Sequence, residues 1–254
     1  MSNKNLKIYE SVLRKNNKSI FLWSKNKIAV MIVSGGLDSS ITWARLIREY
    51  DMEIFPLHIN RGQKNYLAES NSLKKISEIL SKQFPEKFHN VETVVCNVPP
   101  KKIKDHLQEY MKKNGYPFRD NILLMIGVQY AISLNEKLGI RIKTILSATV
   151  PDDPFPHCNL SSFRALNMLV CQSLNDWSWL ITSPNIDKKI FKKKLFKIDE
   201  IRWAQNNQFP TELTTSCYKA KNKKIYHCGS CFACTRRKEA FKMANVEDKT
   251  KYRI

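Results

Sequence analysis

Residues 28–47, IAVMIVSGGLDSSITWARLI, constrain the fold of this chain more than any other segment. The run 28–33 is uncharged and rich in Ile and Val, which is typical of a buried parallel strand. Gly35 and Gly36 then allow a sharp turn and let a ligand approach the main chain closely. A helical pattern follows at once, and its apolar residues should face a core; these are Ile41, Trp43, Ala44, Leu46 and Ile47. The segment therefore predicts a strand, a glycine turn and a helix, the repeating unit of an α/β fold.

This strand, loop and helix start form an anion site, because free N–H groups and the helix dipole point at one spot. The first-turn residues Asp38, Ser39 and Ser40 suit helix capping, and the hydroxyls of Ser34, Ser39 and Ser40 can also donate to phosphate oxygens. Asp38 cannot bind phosphate itself, so we expect it to hold Mg²⁺ or to orient a donor. The alternative is a tight turn without a ligand.

No lysine follows the loop as a Walker-type loop requires. SGGLDSS instead resembles the loop of the PP-loop ATPases, which split ATP between its α and β phosphates. The resemblance implies an ATP site whose residues are Val33, Ser34, Gly35, Gly36, Leu37, Asp38, Ser39 and Ser40.

Apolar strands alternate with amphipathic helices along the chain after residue 28. The pattern predicts strands at 28–33, 53–59, 91–96 and 143–148 and a short one within WSWLITSPNID, and helices at 38–50, 66–82, 120–137 and 162–174. Segment 98–120 has turn residues at both ends and a basic helical middle, and 188–206 is a basic segment. Strands separated by helices imply a doubly wound, mostly parallel sheet. We predict an N-terminal extension at 1–27, an ATP-binding α/β domain at 28–206 and a cysteine-containing segment at 207–254.

Charge and hydropathy exclude some classes of protein. The chain has 254 residues, with 43 Lys and Arg against 23 Asp and Glu, a formal net charge of +20. Such an excess permits nucleic-acid binding, but the lysines are spread along the whole chain, so this partner is not favoured. No apolar stretch is long enough for a membrane span, and the lysine-bearing N-terminus lacks a signal-peptide core. We expect a cytoplasmic enzyme.

Four of the seven cysteines lie together near the C-terminus, at Cys217, Cys228, Cys231 and Cys234. Their spacing is C-x10-C-x2-C-x2-C, and four thiolates satisfy tetrahedral Zn²⁺. Two alternatives are a 4Fe–4S cluster, which also takes four cysteines, and catalytic sulfur transfer. Zinc is preferred because a single closed set of four thiolates is what a structural zinc site needs. His227 precedes the second cysteine and is expected to be a bystander.

The loop and the cysteine segment together resemble the 7-cyano-7-deazaguanine synthase, or QueC, family, over most of 28–245. Further matching segments are RGQKN at 61–65, YPFRD at 116–120, TVPDDPFPHCN at 149–159, Ser183-Pro184 and KIDEIRWAQ at 197–205. The resemblance implies an adenine nucleotide α-hydrolase-like fold.

The resemblance also implies the reaction. Members of the family adenylate the carboxylate of 7-carboxy-7-deazaguanine with ATP, replace AMP by ammonia, and use a second ATP to dehydrate the amide to the nitrile. The departing pyrophosphate needs neutralisation by loop N–H groups, Mg²⁺ and basic residues. The expected catalytic residues are Asp38, Ser39, Lys64 and Arg119, and the expected substrate-binding residues are Gln63, Arg119, Asp152, Asp153, Phe155 and His157. The cofactors implied are ATP, Mg²⁺ and Zn²⁺, and a homodimer is expected.

The chain departs from the family pattern at one place that bears on substrate recognition. Where the family carries P-D-C-R, this chain has Pro-His-Cys-Asn at 156–159. A carboxylate there can read the N–H edge of a guanine-like ring, and Asp152 or Asp153 can take over that contact. The departure leaves two alternatives open: a QueC-like ligase, as in antiviral operons, that joins the activated deazapurine to a protein or other amine, and a PP-loop enzyme that modifies tRNA.

Overall fold

The computed structural model describes residues 3–18, 20, 27–220 and 226–253. Its strands are β1 (Ile28–Ile32), β2 (Glu53–Asn60), β3 (Glu92–Val95), β4 (Thr144–Leu146) and β5 (Leu180–Thr182). They belong to one five-stranded sheet in the order β3-β2-β1-β4-β5, and the pairs β2–β3, β1–β4 and β4–β5 are parallel. The predicted doubly wound α/β fold is confirmed.

The α-helices within the described residues number ten. They are α1 (Asn3–Asn17), α2 (Leu37–Tyr50), α3 (Tyr66–Gln83), α4 (Lys101–Lys104), α5 (Gln108–Asn114), α6 (Arg119–Leu138), α7 (Leu160–Ser173), α8 (Lys188–Phe191), α9 (Lys197–Asn206) and α10 (Phe232–Ala244). Short 3₁₀ turns lie at Asp105–Leu107 and Thr211–Leu213. None of these helices is long and apolar enough to cross a membrane.

The chain divides into two compact units. Unit one consists of Met1–Ile32 and Val98–Lys194, and unit two consists of Val33–Asn97 and Leu195–Ile254. Each unit combines segments distant in sequence. The boundaries at 27 and 206 stay a prediction, and the N-terminal extension lies partly outside the described residues.

Unit one contains β1, β4 and β5, which pair in register through Val30, Ile145 and Ile181. Helix α6 packs directly on β1 and β4, and a Cβ added at Gly127 would come within 2.9 Å of Ile145 Cγ2. Only glycine permits this approach without displacement of the helix. Helix α1 packs on α7, where buried Arg164 reaches both Glu10, at 3.3 Å, and Asp187, at 2.5 Å.

Unit two contains β2 and β3 together with α2, α3, α9 and α10; α2 packs on β2, α3 and α9, and α9 packs on α10. All six interior residues of β2 are buried, whereas β3 is largely exposed at the edge of the sheet. In α2 the predicted apolar residues are all buried, which confirms the helix face expected from the sequence.

Some predicted bounds differ from those observed. The predicted strand 143–148 is only three residues long, because hydroxyl and side-chain bonds shape the chain beyond Leu146: Ser147 Oγ lies 2.7 Å from Thr149 Oγ1 and accepts a hydrogen bond from Thr149 N. The basic segment 188–206 contains two helices, α8 and α9. Lys192 has a positive φ of 59° and ends α8, and Asp199 Oδ2 accepts from Phe196 N at the start of α9.

Candidate active site and metal centre

Residues 33–40 contain the glycine turn and are called the phosphate loop below. The first residue of this loop, Val33, is hydrogen-bonded to β2. Val33 N donates to Leu57 O at 2.9 Å, and His58 Nδ1 donates to Val33 O at 3.0 Å. The His58 ring is 2 % exposed and stacks on Tyr66, and burial lowers its pKa, so the neutral imidazole is favoured. His58 was not among the site residues predicted from the sequence. A histidine within an otherwise apolar strand could have indicated such a role.

Bonds between its own residues shape the phosphate loop. Ser39 Oγ accepts from Ser34 N at 3.2 Å and donates to Gly36 O at 3.3 Å, and Gly36 N donates to Ser34 Oγ at 3.3 Å. Gly35 has a φ of 69°, and a Cβ there would lie 2.5 Å from Glu69 O. No other residue type fits at position 35 without displacing the main chain.

The start of α2 differs from the expected capping by Asp38, Ser39 and Ser40. The helix begins at Leu37 with Gly36 as its N-cap, and among the described residues no side chain caps this turn. Ser39 is instead bonded within the loop, and Ser40 is 1 % exposed, its hydroxyl buried without a hydrogen-bond partner in the described part of the chain. An uncapped first turn leaves N–H groups for an anion.

Asp38 is an ion-pair partner of a residue that the sequence analysis did not assign to the site. Its carboxylate binds the ammonium of Lys197, at the first position of α9, and the two side chains are 27 % and 10 % exposed. Glu200, one turn further along α9, accepts from Thr42 Oγ1 at 3.1 Å. Although burial favours the neutral acid, Lys197 holds the pKa of Asp38 below its usual value. Burial and the nearby charge of Asp38 raise the pKa of Glu200 well above its usual value.

The three side chains thus form a charge cluster in which a cation lies beside the phosphate loop. Lys197 and Glu200 belong to KIDEIRWAQ, a segment matched to the family without roles for its residues. The available signal was a lysine and a glutamate spaced i, i+3, which places both on one helix face.

Residues 61–69 form hydrogen bonds to the buried carboxylate of Glu69. Glu69 is 8 % exposed and accepts from Gln63 Nε2 at 2.6 Å and from Asn65 Nδ2 at 2.9 Å. Gln63 Oε1 also accepts from Arg61 N at 2.8 Å. Both ends of the Gln63 amide are therefore engaged within the segment, while Lys64 is exposed.

The four C-terminal cysteines come together as predicted. The sulfur atoms of Cys217, Cys228, Cys231 and Cys234 all lie within 4.8 Å of one another. Main-chain N–H groups of Lys219 and Cys228 donate to Cys217 Sγ at 3.3 Å, which stabilises a thiolate. The set can bind a metal ion.

His227 is not part of this cluster. It is fully buried, its Nε2 accepts from Ser216 N at 3.3 Å, and burial lowers its pKa to about 4. It stays neutral and holds the main chain next to the cysteines.

Residues 214–216, directly before Cys217, contact the phosphate loop. Thr215 N donates to Gly35 O at 2.8 Å, Thr215 Oγ1 donates to Ala68 O at 3.2 Å and lies 2.7 Å from Ser72 Oγ. The loop conformation is therefore fixed by a residue two positions from a cysteine of the cluster.

Arg237 on α10 holds the same segment from the other side. Its guanidinium is 1 % exposed and donates to Thr211 O at 2.8 Å, Thr214 Oγ1 at 2.9 Å and Ser216 Oγ at 3.0 Å. Asp248 is its counter-ion, at 3.5 Å from Nε.

We expect Arg237→Met to destabilise unit two by about 3–5 kcal/mol, because it removes the counter-ion of the half-buried Asp248 carboxylate and the three hydrogen bonds of a buried guanidinium. Urea unfolding of the whole chain measures this. Lys242→Met is the matched control, since Lys242 is exposed on the same helix and should change stability by less than about 0.5 kcal/mol. Equal stabilities of the two variants would contradict the role given to Arg237.

In unit one, the residues predicted from the family segments form a second cluster. Arg119 Nε donates to Asp120 Oδ1 at 2.5 Å, and its guanidinium lies over the Phe155 ring at 5.9 Å. Phe155 stacks parallel to His157 with 5.8 Å between centroids and packs on Gly115. Although burial favours the neutral acid, Arg119 and His157 hold the pKa of Asp120 well below its usual value.

The two aspartates of the 149–159 segment differ in environment. Asp153 Oδ2 accepts from Val150 N at 3.2 Å and closes a turn, whereas Asp152 is exposed. Asn159, where the family pattern has Arg, caps α7 by accepting from Ser162 N at 3.0 Å. The Asn thus has a structural role that arginine cannot fill, because arginine has no acceptor.

The chain has the features of the PP-loop class of ATP pyrophosphatases. These features are a parallel sheet, an SGGxDS loop after strand β1 and a helix that starts without a side-chain cap. Within that class, the model of queuosine biosynthesis protein QueC matches residues 28–245. The chain belongs to the QueC family.

Curated relatives agree with this family. The chain is 31 % identical over 238 residues to the 7-cyano-7-deazaguanine synthase of Methanocaldococcus jannaschii, covering 88 % of this chain and 98 % of the relative. It is 31 % identical over 239 residues to that of Caldicellulosiruptor bescii, covering 89 % and 97 %.

Family membership makes the chain an ATP-dependent, ligase-like enzyme that acts on a small molecule with ammonia. It gives no support to the other functions considered from the sequence, conjugation to a protein acceptor in antiviral defence and modification of tRNA, nor to the expected homodimer.

Proposed function

We propose that this enzyme converts 7-carboxy-7-deazaguanine into 7-cyano-7-deazaguanine, with two ATP molecules and one ammonia. The match to the QueC model across the phosphate loop, KIDEIRWAQ and the cysteine segment supports this assignment most directly. The names of the curated relatives point to the same product.

The proposed chemistry has two adenylations. A carboxylate oxygen of the substrate attacks the α-phosphorus of ATP, pyrophosphate leaves, and ammonia then displaces AMP to give the amide. The amide oxygen attacks a second ATP, pyrophosphate leaves again, and loss of AMP and of both amide protons gives the nitrile. Each adenylation turns a poor leaving group, oxide or hydroxide, into AMP.

Pyrophosphate departure creates negative charge that the protein must stabilise, and fixed N–H donors and cations perform this best. We assign the ATP site to residues 33–40, with Ser34 and the N–H groups of the first turn of α2 as donors. Asp38 holds Lys197 beside this loop and is the residue that would hold Mg²⁺, which neutralises the phosphates when bound. Lys64 and Arg119 are proposed as further cations, and Ser39 shapes the loop from within.

Substrate recognition is assigned to the cluster of unit one, in which Phe155 offers a ring face and Arg119 a cation. A guanine-like ring presents two N–H donors on its 2-amino edge, and a carboxylate accepts both. Asp152 is exposed and Asp153 lies next to it, so either can accept. His157 and Gln63 remain proposed substrate contacts, although the Gln63 amide is engaged with Glu69 and Arg61.

We propose Zn²⁺ as the metal of the four-cysteine cluster. Tetrahedral zinc with Zn–S bonds of about 2.3 Å separates its sulfurs by about 3.8 Å. The Cys231–Cys234 and Cys228–Cys234 sulfur pairs lie at 3.5 and 3.9 Å. A four-iron cluster holds each cysteine on a different iron and spreads the sulfurs further apart, so these distances favour a single ion.

Product analysis tests the proposed reaction. The purified enzyme is incubated with ATP, Mg²⁺, ammonia and 7-carboxy-7-deazaguanine, and the products are identified by mass spectrometry. We expect the free nitrile with two AMP and two pyrophosphate per turnover. A covalent adduct on a protein or another amine, or an amide that is not dehydrated, would contradict the assignment.

Replacing both aspartates, Asp152→Asn and Asp153→Asn, should weaken binding of the deazapurine acid by about ten- to a hundredfold, the cost of about 1–3 kcal/mol for buried donors left unpaired. Asparagine at 153 still accepts from Val150 N, so the turn is kept. Calorimetry measures acid and ATP separately, and ATP affinity should stay unchanged. Unchanged affinity for the acid would show that neither carboxylate reads the ring.

A further inference from the structure

Three potential metal ligands of different chemistry, none of them a residue of the four-cysteine cluster, meet in unit one. They are a carboxylate oxygen of Asp120 on α6, the imidazole Nε2 of His157 and the thiol of Cys158, and all three ligand atoms lie within 4.8 Å of one another. Asp120 comes from the first turn of a long helix, while His157 and Cys158 come from the loop that precedes α7. The turn Phe155 O to Cys158 N, at 3.0 Å, holds the two loop residues in place.

From this arrangement we propose that Asp120, His157 and Cys158 bind a divalent transition-metal ion, zinc or a similar cation, with one coordination position open. The distances agree with a tetrahedral site. Bonds of about 2.3 Å to sulfur, 2.0 Å to nitrogen and 2.0–2.2 Å to oxygen place sulfur about 3.5–3.7 Å from oxygen and nitrogen about 3.3 Å from oxygen. The observed separations are 3.7 Å from Cys158 Sγ and 3.2 Å from His157 Nε2, both to Asp120 Oδ2.

The carboxylate oxygen of Asp120 that would not bind the ion, Oδ1, accepts a hydrogen bond of the kind that orients ligands in metal sites. Arg119 Nε donates to Oδ1, which orients the carboxylate and leaves Oδ2 facing the histidine and the cysteine. His157 Nε2 is buried and, although close to Oδ2, is not aligned for a hydrogen bond with any described residue. A buried ring nitrogen without a well-aligned hydrogen bond is unfavourable, and an ion bound between Nε2 and Oδ2 would satisfy it.

Burial and charge fit a bound ion. The side chains of His157 and Asp120 are 13 % and 16 % exposed, so water is mostly excluded. One carboxylate and one thiolate balance the charge of a divalent ion. A set of three protein ligands and one open position is the pattern of reactive rather than structural zinc sites. The open position can accept an oxygen or nitrogen of a small molecule.

Cobalt titration of the enzyme prepared with one equivalent of zinc, which fills the four-cysteine cluster and leaves the second site empty, tests the site without an activity measurement. Zinc stays in the four-cysteine cluster because it binds more tightly than cobalt there. We expect one further Co²⁺ per chain, with visible absorption typical of tetrahedral cobalt and a thiolate-to-cobalt charge-transfer band in the near ultraviolet.

The variants separate this site from the other metal centre and from folding. Cys158→Ser should lose the charge-transfer band, and His157→Gln should lower Co²⁺ affinity at least tenfold, while both keep the zinc of the cluster. His106→Gln, an exposed histidine of unit one, is the matched control and should titrate like the wild type. Cobalt binding without a thiolate band in the wild type, or a band that survives in Cys158→Ser, would overturn the proposal. So would no uptake of a second ion. The result is independent of the proposed reaction, which the product analysis tests separately.

Discussion

Asp38→Asn should reduce formation of AMP and pyrophosphate by about 10²–10³-fold, the loss seen when one preorganised electrostatic contact is removed from a reaction site. The substitution keeps the size of the side chain but removes the charge that binds Lys197. Lys197 then loses its ion pair with the phosphate loop, and the proposed Mg²⁺ ligand is lost as well. Release of pyrophosphate, measured with a coupled assay, and AMP, measured by chromatography, give the rate.

The control for this variant is Asp199→Asn. Asp199 lies on α9 between Lys197 and Glu200 and accepts from Phe196 N, which asparagine also does, so activity should stay near the wild-type rate. Thermal unfolding of both variants should match the wild type. Wild-type pyrophosphate release by Asp38→Asn would refute the site, and ADP as the product would assign the enzyme to γ-phosphoryl transfer.

Cys231→Ser should give an unstable or insoluble protein. The binding free energy of a structural zinc is folding free energy, about 10–16 kcal/mol in small zinc domains. That is of the same size as the whole stability of a typical domain, about 5–15 kcal/mol. The cysteine segment also carries Thr215 and the acceptors of Arg237, so its loss removes the support of the phosphate loop.

Metal content and thermal unfolding measure this effect. Cys96→Ser is the matched control, because Cys96 is a half-buried cysteine of the same unit outside the cluster. It should keep the zinc of the four-cysteine cluster and the wild-type unfolding temperature. Iron with acid-labile sulfide in the wild type would refute zinc, and wild-type stability of Cys231→Ser would refute a structural metal.

The elements with the strongest periodicity could be predicted closely. Strand β2 differs by one residue at its end and α2 by one at its start, because hydrophobic pattern and glycine turns are local signals. Segment 98–120 could be predicted only as basic and helical. Its division into α4, a 3₁₀ turn and α5 depends on packing that periodicity does not express.

The candidate site was predictable where chemistry is encoded within one short segment. The phosphate loop and the four cysteines are of this kind. The Lys197 partner of Asp38 is 159 residues away in sequence, and the Arg237 contacts with 211–216 join two separated segments. Such pairs form only because the fold brings distant segments together, so they could not be predicted from a single sequence.

Thr215 makes hydrogen bonds with Gly35, Ala68 and Ser72. These bonds limit how the C-terminal segment can be exchanged between relatives. A chimaera that takes residues 207–254 from another protein inherits the cysteines but must also recreate three contacts made by two other parts of the chain. The segment is therefore not a portable module. Grafting it should succeed when positions 35, 68 and 72 are transferred with it, and a linear domain boundary is a poor guide for such engineering.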